Sequence, residues 1–154
     1  MEIPVIKVLY IDDEAHNLTA FKASFRRVFS VFTAESAEQA GHILEQNDIH
    51  VILSDQRMPK MTGIEFFESI LTKFPDPIRI LITGYTDISA VIDAINRGQV
   101  YKYLTKPWNE DEVKNFITKA FEVYQLRKEN VHLTEKLIDV NQKLELIARH
   151  AILS

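Results

Sequence analysis

Short apolar runs rich in β-branched residues alternate along this chain with stretches of helical period, and no other feature constrains its fold as strongly. Lys7–Ile11 (KVLYI), Val31–Ala34, Val51–Ser54 (VILS), Ile78–Thr83 (IRILIT) and Val100–Leu104 (VYKYL) read as strands. After the first of them, Leu18, Phe21, Phe25 and Val28 share one face of a helix over His16–Val28. Ser36 with Gln39, and Thr62 with Glu65, have capping-box spacing at the starts of two more helices. Ala40, Ile43 and Leu44 form the inner face of one; Ile64, Phe67, Ile70, Leu71 and Phe74 line the other, which Pro75 and Pro77 stop. Ile88, Val91, Ile92 and Ile95 mark a fourth helix closed by Gly98, and Asn109 with Glu112 caps a fifth. The strands are nearly continuous apolar runs, as strands covered on both faces must be. Five strands alternating with five helices predict an α/β fold, a doubly wound parallel sheet with right-handed crossovers. The pattern leaves the strand order open, but such a sheet places its ligand site at the carboxyl ends of the strands.

That rule gives the polar residues meaning. Asp12 and Asp13 follow the first strand, Asp55 the third, Thr83 ends the fourth, and Lys106 follows the fifth. Parallel topology brings them all to one sheet edge. Three crowded carboxylates repel, so one must take up a proton or a cation must join them. Oxygen-only donors favour a hard ion, and a site that also handles phosphate favours Mg²⁺. Mg²⁺ and Lys106 together would offset the three negative charges. Asp55 stands alone at its strand end and is the candidate nucleophile toward phosphorus. Mg²⁺ and Lys106 would neutralise charge developing on phosphoryl oxygens, with the Thr83 hydroxyl donating to one of them. Singly, each residue has an ordinary use as turn acid, helix cap, strand terminus or surface lysine. The weight lies in their joint occurrence at four strand ends.

Other chemistries find little support. The chain has no cysteine, which excludes disulfides and thiolate ligands. His16, His42, His50, His132 and His150 show no metal-ligand spacing, and the four glycines form no phosphate-cradling loop. A net charge of -4 argues against direct nucleic-acid binding. The opening MEIPVIKVLYIDDE lacks the features of a secretory signal, and no apolar stretch is long enough to span a membrane. A cytoplasmic location, without membrane contact, is expected.

The set IDDE, SDQRMPKMTG, LITG and YKYLTKP resembles the receiver domain of two-component response regulators, over roughly Val5 to Gln125. Each motif alone is weak, but together and in order they are specific. The resemblance implies a flavodoxin-like sheet of strand order 2-1-3-4-5. It implies that Asp55 is the phospho-acceptor, taking its phosphoryl group from a phosphohistidine on a sensor histidine kinase or phosphotransfer protein. Asp13 would be a direct Mg²⁺ ligand together with Asp55 and the backbone carbonyl of Arg57, and Asp12 would support the metal through water. Thr83 and Tyr103 resemble the switch hydroxyl and switch aromatic, and Lys106 the phosphate-pairing lysine, often followed by a cis bond to the proline, here Pro107. Pro59 and Gly63 fit the loop after the acceptor, while Arg57 and Tyr85 occupy positions that tune dephosphorylation. The implied switch draws Thr83 toward the phosphoryl group and lets Tyr103 turn inward, altering the surface of the fourth helix, fifth strand and fifth helix.

The receiver, residues 1–124, should finish near Tyr124, and residues 125–154 form a helical extension. From Asn109 onward there is no proline or glycine, so the last helix would reach roughly 65 Å at about 1.5 Å per residue. Val123, Leu126, Leu133, Leu137, Val140, Leu144, Ile147 and Ala151 fall on a heptad seam, with Asn130 in its one clearly polar slot. This predicts a coiled-coil homodimer, in which a buried Asn favours a fixed register, often parallel. Glu122 and Arg127 are placed to pair across it. The competing expectations are a helix packed back on its own receiver or an unpartnered linker. The abrupt apolar end, ELIARHAILS, suggests a piece of a longer protein with an effector downstream, an enzymatic signalling module among the candidates.

The leading reading is therefore a phosphorylation-controlled regulatory module, not an enzyme beyond its own phosphotransfer and slow autodephosphorylation. One alternative is an Mg²⁺-dependent phosphatase of the haloacid-dehalogenase kind, with Asp12 as nucleophile and Glu14 as the second acid. Another is a coiled-coil scaffold carrying an idle receiver.

Overall fold

The structure is a computed structural model that describes residues 5–84, 91–92 and 100–153. Five strands, β1 (Lys7–Ile11), β2 (Ser30–Ala34), β3 (Val51–Asp55), β4 (Ile78–Thr83) and β5 (Lys102–Thr105), form one sheet. Its order is β2-β1-β3-β4-β5 and every pairing is parallel. The helices among the described residues are α1 (Ala15–Phe25), α2 (Ala37–Gln46), α3 (Gly63–Ile70) and the C-terminal α4 (Glu110–Leu153). Of the helix expected around Ile88–Ile95, only Val91 and Ile92 fall within the described residues. Both are helical, with Val91 buried and Ile92 exposed.

The period-2 alternation of the strands builds two cores. Val8, Tyr10, Val51, Leu53, Ile78, Ile80 and Ile82 face α1 and the first turns of α4, meeting Leu18, Phe21, Phe25, Val113, Ile117 and Ala120. Leu9, Ile11, Ile52 and Leu81 face the other way, onto Ala40 and Leu44 of α2 and Ile64, Phe67 and Ile70 of α3. Phe66, absent from the expected face of α3, is buried there too.

Local signals act as the sequence suggests, with small departures. Thr62 and Glu65 close a full capping box. Ser36 accepts from the Gln39 amide, but the Gln39 side chain accepts from the Glu35 amide, one residue upstream of the cap. Asn109 Oδ1 accepts from the amides of Asp111 and Glu112, capping α4. Helix α1 stops at Phe25, so Val28 lies beyond it and is exposed, not on a buried helical face. Strand β5 begins at Lys102 rather than Val100, although the Tyr101 amide already donates to the Arg79 carbonyl.

Helix α4 is 44 residues long, about 66 Å at 1.5 Å per residue. Only its first turns pack on the sheet. Its root is held by Phe121 and Tyr124, whose rings lie 4.9 Å from His50, and by Lys128, 2.6 Å from Asp76. Beyond that, Leu126, Leu133, Leu137, Val140, Leu144 and Ile147 are each about half or more exposed, between 49% and 65%. The helix does not fold back to cover its seam.

Candidate functional site

The parallel ladder continues one residue past the strands and carries the polar residues with it. The amide of Asp12 donates to the Ala34 carbonyl at 3.1 Å, that of Gln56 to Ile82 at 2.9 Å, and that of Lys106 to Thr83 at 2.9 Å. These bonds fix the backbone of three loops relative to one another at the carboxyl edge of the sheet. The Lys106–Pro107 bond is cis.

Asp12, Asp13 and Asp55 come together there, each offering a carboxylate oxygen within 4.8 Å of the others. Lys106 Nζ reaches in from the fifth strand end, 3.2 Å from Asp55 Oδ1 and 3.8 Å from Asp12 Oδ2. The acids differ in environment. Asp12 is fully buried, Asp55 is 6% exposed, and Asp13 faces solvent. Burial pushes the Asp55 carboxyl above its ordinary value; Lys106 opposes this, while Asp12 and Asp13 add to it. Asp12, Asp13 and Asp55 together bring more negative charge than the Lys106 ammonium group offsets. A hard divalent cation held by oxygen donors fits such a set.

Asp12 is bonded on both oxygens. Its Oδ2 accepts from the Tyr10 hydroxyl at 2.8 Å and from Asn17 Nδ2 at 3.1 Å, and its Oδ1 from the Glu14 amide at 3.0 Å. These donors allow a carboxylate to remain in a fully buried position. The Tyr10 hydroxyl is pushed far above its usual range, first by burial and then by the Asp12 charge, and is a permanent donor.

The loop after the acceptor is sewn down by Gln56. Its carbonyl accepts from the Gly63 amide and its side-chain Oε1 from the Ile64 amide, both at 3.1 Å. Gly63 sits so close that a Cβ there would stand 2.6 Å from the Asp55 carbonyl oxygen and 2.7 Å from Leu81 Cδ1. Pro59 and Arg57 lie on the exposed outer part of this loop.

Thr83 is buried, and its hydroxyl donates weakly to the Gly84 carbonyl at 3.4 Å. Tyr103 lies 41% exposed beside an open cavity of about 610 Å³, whose lining includes Lys102, Glu112 and Phe116. Tyr85 lies outside the described residues. Thus Asp12, Asp13, Asp55 and Lys106 converge, whereas Tyr103 points away. Tyr10, Asn17 and Gln56 escaped the sequence reading. Only Tyr10 carried a usable signal: it stands two residues before Asp12 in an extended strand, hence on the same side.

The response regulator receiver domain family matches residues 8–118. The chain is 35% identical over 122 residues to the hydrogenase transcriptional regulatory protein HoxA of Bradyrhizobium diazoefficiens, covering 79% of this chain and 25% of that protein. It is 31% identical over 147 residues to the C4-dicarboxylate transport transcriptional regulatory protein DctD of Rhizobium meliloti, covering 95% of this chain and 32% of that protein. The chain thus spans about a quarter to a third of the length of these curated relatives. Among solved structures, an uncharacterized protein from Neptuniibacter caesariensis is 35% identical with a TM-score of 0.75, over 81% of this chain and 93% of that one. An adenylate cyclase from Rhodopirellula baltica is 29% identical with a TM-score of 0.81, over 86% and 99%.

Proposed function

The chain belongs to the response regulator receiver domain family, and from that premise we propose that Asp55 accepts a phosphoryl group in an Mg²⁺-dependent reaction. The donor is the phosphohistidine of a sensor histidine kinase or phosphotransfer protein. A carboxylate oxygen of Asp55 attacks phosphorus, the P–N bond to the donor imidazole breaks, and the imidazole keeps the electron pair. Lys106 pairs with the negative oxygens of the transferred group, and the Thr83 hydroxyl donates to one of them. Asp13, Asp55 and the Arg57 carbonyl would hold Mg²⁺ directly and Asp12 through water. The bound ion supplies positive charge to the carboxylates and to the phosphoryl oxygens. The observation that carries this reading is the ammonium group of Lys106 lying 3.2 Å from Asp55 inside the acidic cluster.

Phosphorylation replaces one negative charge with about two and adds acceptor oxygens. The Thr83 hydroxyl, bonded only weakly to its neighbour's carbonyl, exchanges that bond for one to the phosphoryl group, and Tyr103 turns inward from its exposed position. The domain is a regulatory acceptor and turns over no separate substrate.

We divide the chain into a receiver, 1–124, and a helical extension, 125–154, through which two copies pair. The exposed heptad seam supports a homodimer, because a lone helix leaves that stripe in water. This stretch makes no direct nucleic-acid contact. No helix among the described residues is long and apolar enough to cross a membrane, and we assign the protein to the cytoplasm, where its proposed donors transfer phosphate.

Incubation with acetyl phosphate and Mg²⁺ should label the wild-type chain at Asp55 and leave Asp55→Asn unlabelled. A wild-type chain that takes no label from either acetyl phosphate or a phosphorylated kinase overturns the reading.

A further inference from the structure

Tyr10 has no part in the reaction described above, yet it is the best-placed donor to the most buried acid of the site. Its ring lies in the core, stacked on Phe21 with centroids 4.4 Å apart and planes 17° from parallel. Phe21 in turn meets Phe25 and Trp108, and Trp108 follows the cis Pro107 on the loop that carries Lys106. The ring is therefore fixed by packing, and its hydroxyl is fixed with it, 2.8 Å from Asp12 Oδ2. Asn17 Nδ2 donates to the same oxygen from α1, and the Glu14 amide holds the other. With both oxygens hydrogen-bonded, rotating the Asp12 carboxylate would break at least one of these bonds.

We propose that Tyr10 is a positioning residue for the cation site: its hydroxyl locks the Asp12 carboxylate in the orientation that a divalent ion, or water bound to it, meets. This rests on the reading of the acidic cluster as an Mg²⁺ site, and it adds a residue from the interior of a strand to the machinery at the strand's end. A partner that orients a metal-binding carboxylate changes metal affinity without touching the ion. Asn17 shares the task, but from a partly exposed position on a helix. The Tyr10 hydroxyl is the donor held rigidly, because it is anchored by the ring stack.

Trp108 is the chain's single tryptophan and touches the ring stack, so its fluorescence provides a direct titration with MgCl₂. In the full chain, Tyr10→Phe keeps the ring and removes only the hydroxyl. We expect its apparent Mg²⁺ Kd to rise about tenfold, in line with the usual cost of losing such a partner. Phosphoryl uptake from acetyl phosphate should fall at low Mg²⁺ and recover toward wild type when Mg²⁺ is saturating. A merely structural role would lower uptake at every Mg²⁺ concentration and leave the Kd in place. Asn17→Ala, which removes a partly exposed donor to the same oxygen, should raise the Kd in the same direction by a smaller factor. A Tyr10→Phe Kd within twofold of wild type overturns the proposal, as does a defect that saturating Mg²⁺ fails to repair. If the wild type itself shows no Mg²⁺ titration by fluorescence or by thermal shift, the metal reading fails and this inference with it. A titrating wild type with an unchanged Tyr10→Phe sinks the inference alone.

Discussion

The ammonium group of Lys106 lies 3.2 Å from Asp55 Oδ1, and the Lys106 amide donates to the Thr83 carbonyl. One residue thus ties the end of the fourth strand to the acid at the end of the third. Removing the ammonium group takes away the positive charge that lies 3.2 Å from Asp55 and 3.8 Å from Asp12. Lys106→Ala should slow phosphoryl uptake from acetyl phosphate by about 10²-fold, the usual cost of deleting one charge-stabilising donor. Rapid-mixing measurement at saturating Mg²⁺ checks this; a change of less than threefold would show that Lys106 is not part of the reaction.

Asp55 links stability to pH. Its carboxyl is raised above the ordinary value, chiefly by burial, so folding favours its protonated form. That contribution is complete below the unfolded value near 3.8 and is lost as pH rises through the higher folded value. At neutral pH without Mg²⁺ the ionised acid is a liability. Asp55→Asn should therefore melt higher than wild type at pH 7, and the gain should shrink as pH falls toward 4. Calorimetric melts across that range, with a chelator present, test it; an equal gain at every pH would refute the linkage.

Gly63 leaves no room for a side chain beside the acceptor. A Cβ would meet the Asp55 carbonyl oxygen at 2.6 Å, and that oxygen belongs to backbone. Gly63→Ala should cost about 1–3 kcal/mol of stability through overpacking, and it should also impair labelling of Asp55 by moving its strand end. Urea denaturation gives the first quantity. Labelling at a temperature where the variant remains folded gives the second.

His50 joins the amino edge of the sheet to the root of α4. Its Nδ1 accepts from the Lys7 amide at 2.9 Å while its ring packs against Phe121 and Tyr124. Burial, with Lys7 nearby, lowers its pKa below 6.5, and Asp48 opposes the shift. A depressed histidine contributes stability that is present above the unfolded value and lost as pH falls through the folded one. Acidification from pH 7 to below 6 should weaken the hold on Tyr124, seen as faster amide exchange over residues 121–128. His50→Gln should flatten that pH dependence, at a cost of about 1 kcal/mol for the altered bond.

The seam of α4 predicts a partner effect. Leu133 and Leu137 are 54% and 60% exposed, and each would contribute about 1.5–3 kcal/mol if buried in a dimer. Replacing both with Glu should yield a monomer in sedimentation equilibrium at concentrations where the wild type is dimeric. A monomeric wild type refutes the pairing outright.

Period and composition by themselves determined the element types, the parallel doubly wound class, the acids and lysine at the strand ends, and the heptad seam. These are local properties: a strand buried on two faces must be apolar throughout, and a helix with one buried face must repeat near 3.6 residues. The strand order, by contrast, depends on which faces of distant elements fit together, and no single segment carries that information. The resemblance to receivers supplied an order, but the pattern could not. Only the tertiary structure decided that Asp12 is buried while Asp13 faces water, that Tyr10 turns its hydroxyl to Asp12, and that His50 meets Phe121 and Tyr124. In a sequence, Tyr10 reads as one more core aromatic and His50 as one more surface histidine. Their roles arise from contacts made in space: a hydroxyl meets a carboxylate 2 residues along the chain in one case, and an imidazole ring meets aromatic rings of the last helix in the other, because packing decides which side chains touch.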